Sequence, residues 1–199
     1  MRLLISAFEP FGGRRRNTSA EILRQIRLKR LLSGKPVSCQ KVLFPVDFDA
    51  AWPRLQRKLE YWTPDLVILM GEGKTRPVTL ETAARNLRRH SPEAIPIDTE
   101  RQAIYESAAA LRLAGSLPSS SGISIEQDPG DYLCNYLYFQ CLSRRPEIPT
   151  IFLHVQPLAD DYAPADLART RTLVEETLLL AIDLQRDAAA ANTRRAHPV

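Results

Sequence analysis

The chain has 199 residues, 44% of them hydrophobic, enough to bury one substantial core and too few to suggest a second domain. Lys plus Arg number 27 against 23 Asp plus Glu, and a net charge of +4 drawn mostly from the N-terminal third does not call for a nucleic-acid partner. The three cysteines, Cys39, Cys134 and Cys141, are an odd set without CxxC spacing, which speaks against a disulfide framework and for a reducing compartment.

The chain opens directly into the apolar run Leu3-Leu4-Ile5, a strand predicted over residues 2–7, with no long apolar segment of the kind a signal peptide or membrane span requires. A cytoplasmic, soluble protein with no membrane partner is the expectation. Asn17 or Thr18 caps a helix expected to run to about Leu32, with Glu21 in its first turn and Arg27, Lys29 and Arg30 near its end, as the helix dipole prefers. Further strands are predicted over 38–43, 66–70, 78–83 and 150–154, with a weaker one over 122–126. Helices are predicted over 49–62, ended by Thr63-Pro64, over 98–114, stopped by Gly115, over 131–143, and from Pro164 to about Asp187. Residues 188–199 have no apolar face and read as a flexible tail, leaving 1–187 as the folded domain. Residues 88–97 and 117–122 read as loops.

Short strands alternating with longer helices predict an α/β fold, a single-domain three-layer α/β/α sandwich with a mostly parallel central sheet. In such sheets ligands bind beyond the carboxyl ends of the strands. The Phe8 to Gly13 loop follows one strand and His154 ends another, so both are expected at the same crevice.

Cys134 follows the breaker Asp128-Pro129-Gly130 at the start of a helix, where the positive end of the peptide dipoles favours thiolate and lowers the thiol pKa. His154, at the tip of a buried strand, is placed to take the proton, and Glu81 to orient the imidazole. Taken singly, each has a plainer explanation: a buried structural cysteine, a satisfied core histidine, a solvated acid. The loop Phe8-Glu9-Pro10-Phe11-Gly12-Gly13 is likewise either a turn closing the core or an aromatic wall for a small flat ligand.

Their order along the chain distinguishes them. The Phe8 to Gly13 loop followed by Asn17-Thr18-Ser19 resembles the FEPFGG and NPS segments of the pyroglutamyl peptidase I (pyrrolidone-carboxylate peptidase) family. The segment Val78 to Asn86 resembles that family's ITPERVAIN segment, Pro129 to Asn135 its SAGTFVCN segment, and Phe152-Leu153-His154-Val155 its FIHVP segment. The resemblance runs from about Arg2 to Leu184. It implies a cysteine exopeptidase, commonly tetrameric, that removes an N-terminal pyroglutamyl residue from peptides without metal or other cofactor. By motif it implies Cys134 as nucleophile, His154 as base and Glu81 as the orienting acid. It also implies Phe8 and Phe11 flanking the ring, Tyr132 and Leu133 in the pocket wall, Asn17 supporting the loop and Glu72 in the pocket where a glutamine is usual.

The stretch Gly71-Glu72-Gly73-Lys74-Thr75-Arg76 is one residue shorter before Glu81 than the family's GQAGGR-like stretch. Basic Leu87-Arg88-Arg89-His90 replaces an acidic cover segment. A second reading is therefore a weakly active or non-catalytic relative that binds a peptide end or anion through Arg88-Arg89-His90. Gly73-Lys74-Thr75 lacks the upstream glycine of a phosphate loop, since Ile68 stands there, and the Arg14-Arg15-Arg16 run reads as a solvated face.

Overall fold

The computed structural model describes residues 1–27, 36–89 and 93–196. A six-stranded sheet runs in the order β2 (Ser38–Phe44), β1 (Arg2–Phe8), β3 (Leu66–Glu72), β10 (Thr150–Val155), β4 (Val78–Glu81) and β9 (Ile123–Glu126). The first four are mutually parallel; β4 pairs antiparallel with β10 and parallel with β9, so the last two strands run the other way. Helices α1 (Thr18–Gln25), α3 (Ala108–Ser116) and α5 (Pro164–Ala196) cover one face, meeting Leu3, Ile5, Ile68 and Leu153. Helices α2 (Phe48–Trp62) and α4 (Leu133–Arg144) cover the other, meeting Leu4, Val67, Leu69 and Phe152. The two apolar sets alternate along each central strand, which is why β1, β3 and β10 are buried over almost their whole length. The predicted three-layer architecture is the observed one.

Several local expectations change. Helix α1 ends at Gln25, and residues 28–32 of the helix predicted there lie outside the described residues. The strand predicted over 78–83 breaks at Thr82, whose N–H bonds to Glu126 O while its carbonyl accepts from Ser107 N. The chain then enters a separate ladder, β5 (Ala83–Arg85) with β8 (Ile104–Glu106). The helix predicted over 98–114 begins only at Ala108. Asn86 gathers the preceding segment into a loop, accepting from Ile97 N and Asp98 N and donating to Asp98 O and Arg101 O. The cap is Ser107, whose hydroxyl accepts from Ala110 N, and Gly115 lies inside the helix. Within the predicted 88–97 loop, β6 (Arg88–Arg89) pairs with β7 (Ala94–Ile95). Helix α5 continues through the predicted tail to Ala196, as an alanine-rich stretch with high helix propensity does. Thr63, at φ 43°, ends α2 where the sequence indicates.

Helix α4 is fastened to β5 by one side chain. Asn135, fully buried, accepts from Arg85 N at 2.8 Å and donates to Arg85 O at 2.8 Å and Leu87 O at 2.6 Å. Replacing Asn135 with Ala strands an N–H and two carbonyls. The expected loss is about 3 kcal/mol in urea unfolding; a loss below about 1 kcal/mol contradicts this role.

Candidate active site

Three parallel strands, β1, β3 and β10, end at the same side of the sheet, and the N-terminus of α4 points there. Between them lies a cavity of about 330 Å³ whose lining includes Cys134 and His154. The six residues expected at the pocket, Phe8, Phe11, Asn17, Glu72, Tyr132 and Leu133, all line it. Phe11 and Tyr132 are partly exposed at its edge, while Phe8 is buried. Asn17 caps α1 by accepting from Ser19 N and Ala20 N, and its amide donates to Glu9 O, so it holds the aromatic loop in place.

Glu81 sits behind the cavity, fully buried on β4. The antiparallel register sets Phe152 opposite Glu81 and His154 opposite Thr79, so all four side chains share the sheet face under α4. His154 Nδ1 lies 2.8 Å from Glu81 Oε1. An ionised carboxylate can only accept, so in a neutral imidazole making this bond the proton sits on Nδ1 and the lone pair on Nε2. Tyr138 of α4 donates its hydroxyl to Glu81 O at 3.0 Å, pinning β4 beneath the helix.

Two glycines make room for this. His154 pairs with Gly71 across β10 and β3, and a Cβ at Gly71 would meet Cys134 Sγ at 2.6 Å. A Cβ at Gly73 would meet His154 Cδ2 and Nε2 at 3.0 Å. The segment after β3 therefore passes directly over the imidazole on its way to β4.

Cys134 is the second residue of α4, whose N-cap, Tyr132, makes no side-chain cap bond. The expected lowering of its thiol pKa is not what the surroundings produce. Burial pushes the thiol up to about 12, the Glu81 charge adds to the rise ahead of that of Glu72, and the residue's own backbone N–H opposes them. Burial and two nearby anions outweigh the helix terminus.

The charges at the cavity are matched in pairs. Glu72 is bound by Arg14 and by Thr18 N at the start of α1. Arg14 also donates to Leu158 O, so this arginine is a buried-side partner and not part of a solvated face. Asp131 holds Arg89 at 2.9 Å, and Asp128 holds Arg85 at 3.0 Å. Lys74, whose place at the site its sequence context did not indicate, contacts Glu126 at 2.7 Å and Glu81 at 3.5 Å.

Comparison with known proteins defines the class, a hydrolase of the cysteine type. The family model described as pyroglutamyl peptidase matches residues 1–169, and the chain belongs to that family. Pyrrolidone-carboxylate peptidase 2 of Photorhabdus laumondii is 29% identical over 209 residues, covering 96% of this chain and 92% of the relative. The pyrrolidone-carboxylate peptidase of Vibrio vulnificus YJ016 is 28% identical over 196 residues, covering 92% and 90%. The solved pyrrolidone carboxyl peptidase from Thermococcus litoralis has the same fold, with a TM-score of 0.70 at 23% identity over 94% of this chain and 96% of that one.

Replacing Gly71 with Ala is expected to displace the thiol or spread β3 from α4, destabilising the protein by roughly 1 to 3 kcal/mol. Thermal unfolding and the alkylation rate of Cys134 measure the two effects; an unchanged protein on both counts contradicts the contact. In ligand-free protein, Cys134 alkylation should keep rising above pH 9, the ordinary thiol range. A rate already level near about pH 7 would mean a preformed thiolate.

Proposed function

We propose that the chain is an omega exopeptidase that hydrolyses the amide bond after an N-terminal pyroglutamyl residue, using Cys134, His154 and Glu81. The observation that carries this reading is the Glu81–His154 contact of 2.8 Å beside a cavity lined by His154 and Cys134. Membership of the pyroglutamyl peptidase family supports the substrate class.

In this mechanism His154 Nε2 takes the thiol proton as Cys134 Sγ attacks the pyroglutamyl carbonyl carbon. Glu81 holds the ring tautomer and balances the imidazolium that forms. Backbone N–H groups in the first turn of α4, free of any Tyr132 side-chain cap, stabilise the oxyanion. Collapse breaks the C–N bond, and Nε2–H protonates the departing amine. Water, deprotonated by His154, then cleaves the thioester and releases pyroglutamate and the thiol. The raised thiol pKa favours proton transfer in step with attack over a standing ion pair.

The charge pairing supports a blocked N-terminus. Glu72, Asp128 and Asp131 already answer Arg14, Arg85 and Arg89, so no unpaired lining carboxylate among the described residues receives an α-ammonium. The lactam has none to offer. The same pairing weakens the anion-binding alternative: Arg89 is held by Asp131, Arg88 lies over the Phe48 ring at 5.9 Å, and His90 lies outside the described residues.

We assign the protein to the cytoplasm, supported by three free cysteines and by the lack, among the described residues, of a helix long and apolar enough to cross a membrane. We also propose self-association as a dimer or tetramer; exposed Ile125 on edge strand β9 supports such a contact.

The test is release of a chromophore from a pyroglutamyl amide. Wild-type protein is expected to turn it over, Cys134→Ser to abolish turnover, and Glu81→Gln to lower kcat on the order of a hundredfold or more. Undiminished turnover by Cys134→Ser removes the proposed nucleophile.

A further inference from the structure

We propose that Lys74 is a positioning residue for Glu81: its ammonium keeps the buried carboxylate ionised and aimed at His154, and fastens the segment that leads into Cys134. The proposal rests on the catalytic reading of Glu81, His154 and Cys134.

Glu81 is cut off from water, and its Oε2 has no hydrogen-bond partner. A carboxylate so placed takes up a proton unless a cation answers it, and a protonated Glu81 no longer balances an imidazolium. Oε1 is shared: His154 Nδ1 approaches at 2.8 Å and Lys74 Nζ at 3.5 Å. Lys74 also contacts Glu126 Oε2 at 2.7 Å and donates to Asp128 O at 2.7 Å. Asp128 begins the Asp128-Pro129-Gly130 turn, its carboxylate accepting from Gly130 N at 3.0 Å, and Gly130 through Cys134 line the cavity. One ammonium thus ties β4, β9 and the approach to the nucleophile.

The other charged and titratable groups around this cluster come from every neighbouring element. Glu72 on β3 is neutralised by Arg14, Arg85 on β5 by Asp128, and Glu126 on β9 competes for the ammonium. Helix α4 contributes Cys134 and Tyr138, and β10 contributes His154. Among the described residues, Lys74 is the lysine or arginine that reaches the Glu81 carboxylate. Burial works against its charge, but the Glu126 hydrogen bond and the Glu81 and Glu126 charges more than compensate and raise its pKa above the usual lysine value. Its position follows from the chain: Gly73 lets the backbone ride over the imidazole, and the next side chain falls beside the carboxylate.

The experiment compares full-length wild type, Lys74→Met, Lys74→Arg and Glu126→Gln. It reads the pH profile of kcat/KM on a pyroglutamyl amide, and the NMR titration of the His154 ring without substrate. Lys74→Met is expected to lower kcat about tenfold to a hundredfold with KM within about threefold, because an interaction acting on proton transfer, not on binding, is lost. It should move both the acid limb and the ring titration to higher pH by roughly one unit, since removing the cation favours protonation of the pair. Lys74→Arg should restore both. Glu126→Gln should move both to lower pH, because Lys74 then acts on Glu81 alone.

An acid limb and ring titration at wild-type positions in Lys74→Met, or Lys74→Arg as defective as Lys74→Met, overturns the proposal. Where Lys74→Met fails to fold, Glu126→Gln decides, and an upward or absent shift overturns it. A ring titration that shifts as expected in protein that turns over no pyroglutamyl amide sinks the peptidase reading and upholds the positioning role. Turnover with no shift does the reverse.

Discussion

The hydrogen bond between buried Glu81 and His154 is the constraint around which this end of the sheet is organised. It requires a carboxylate and an imidazole on neighbouring strands and on the same face, two rows apart. The antiparallel pairing of β4 with β10 supplies that register. A slip of one residue in β4 would turn Glu81 toward α1, α3 and α5 and leave His154 facing Leu80. Thr82, anchored to Glu126 and Ser107, and Tyr138, anchored to Glu81 O, hold β4 against such a slip.

Dry surroundings sharpen every charge near that bond. The cavity is bounded by Phe8, Phe11, Tyr132 and Leu133, and its acids are matched by cations drawn from α1's approach loop, β5 and the β6 ladder. With the lining carboxylates paired among the described residues, the proposed reading favours a neutral ring over a charged terminus, because an entering ammonium would lose its water without gaining a free carboxylate. Burial, followed by the Glu81 and Glu72 charges, pushes the Cys134 thiol pKa up, so in the proposed mechanism nucleophile and base act as one unit.

Much of this was legible in the sequence, for identifiable reasons. Strands β1, β3 and β10 are continuous apolar runs, and Cys134, His154 and Glu81 stand in ordered segments that resemble one family. The helix predicted from Asp98 does not form there because Asn86, through bonds to Ile97 N, Asp98 N, Asp98 O and Arg101 O, holds the segment as a loop. The Arg14 partnership was hidden because Glu72 is 58 residues away in sequence. Lys74 stands in Gly73-Lys74-Thr75, which lacks the upstream glycine of a phosphate loop, and the shortened span before Glu81 is the one clue to its place. The raised thiol pKa is not legible because helix position is local, whereas the burial around Cys134 and the Glu81 and Glu72 charges arrive through the fold.

Trapping the acyl-enzyme measures the central claim most directly. Acid quenching during turnover of a pyroglutamyl ester, followed by peptide mass mapping, should find the pyroglutamyl group on the peptide that contains Cys134. Its appearance on Cys39 or Cys141 instead, or steady turnover with no acyl group on any cysteine, would contradict the account.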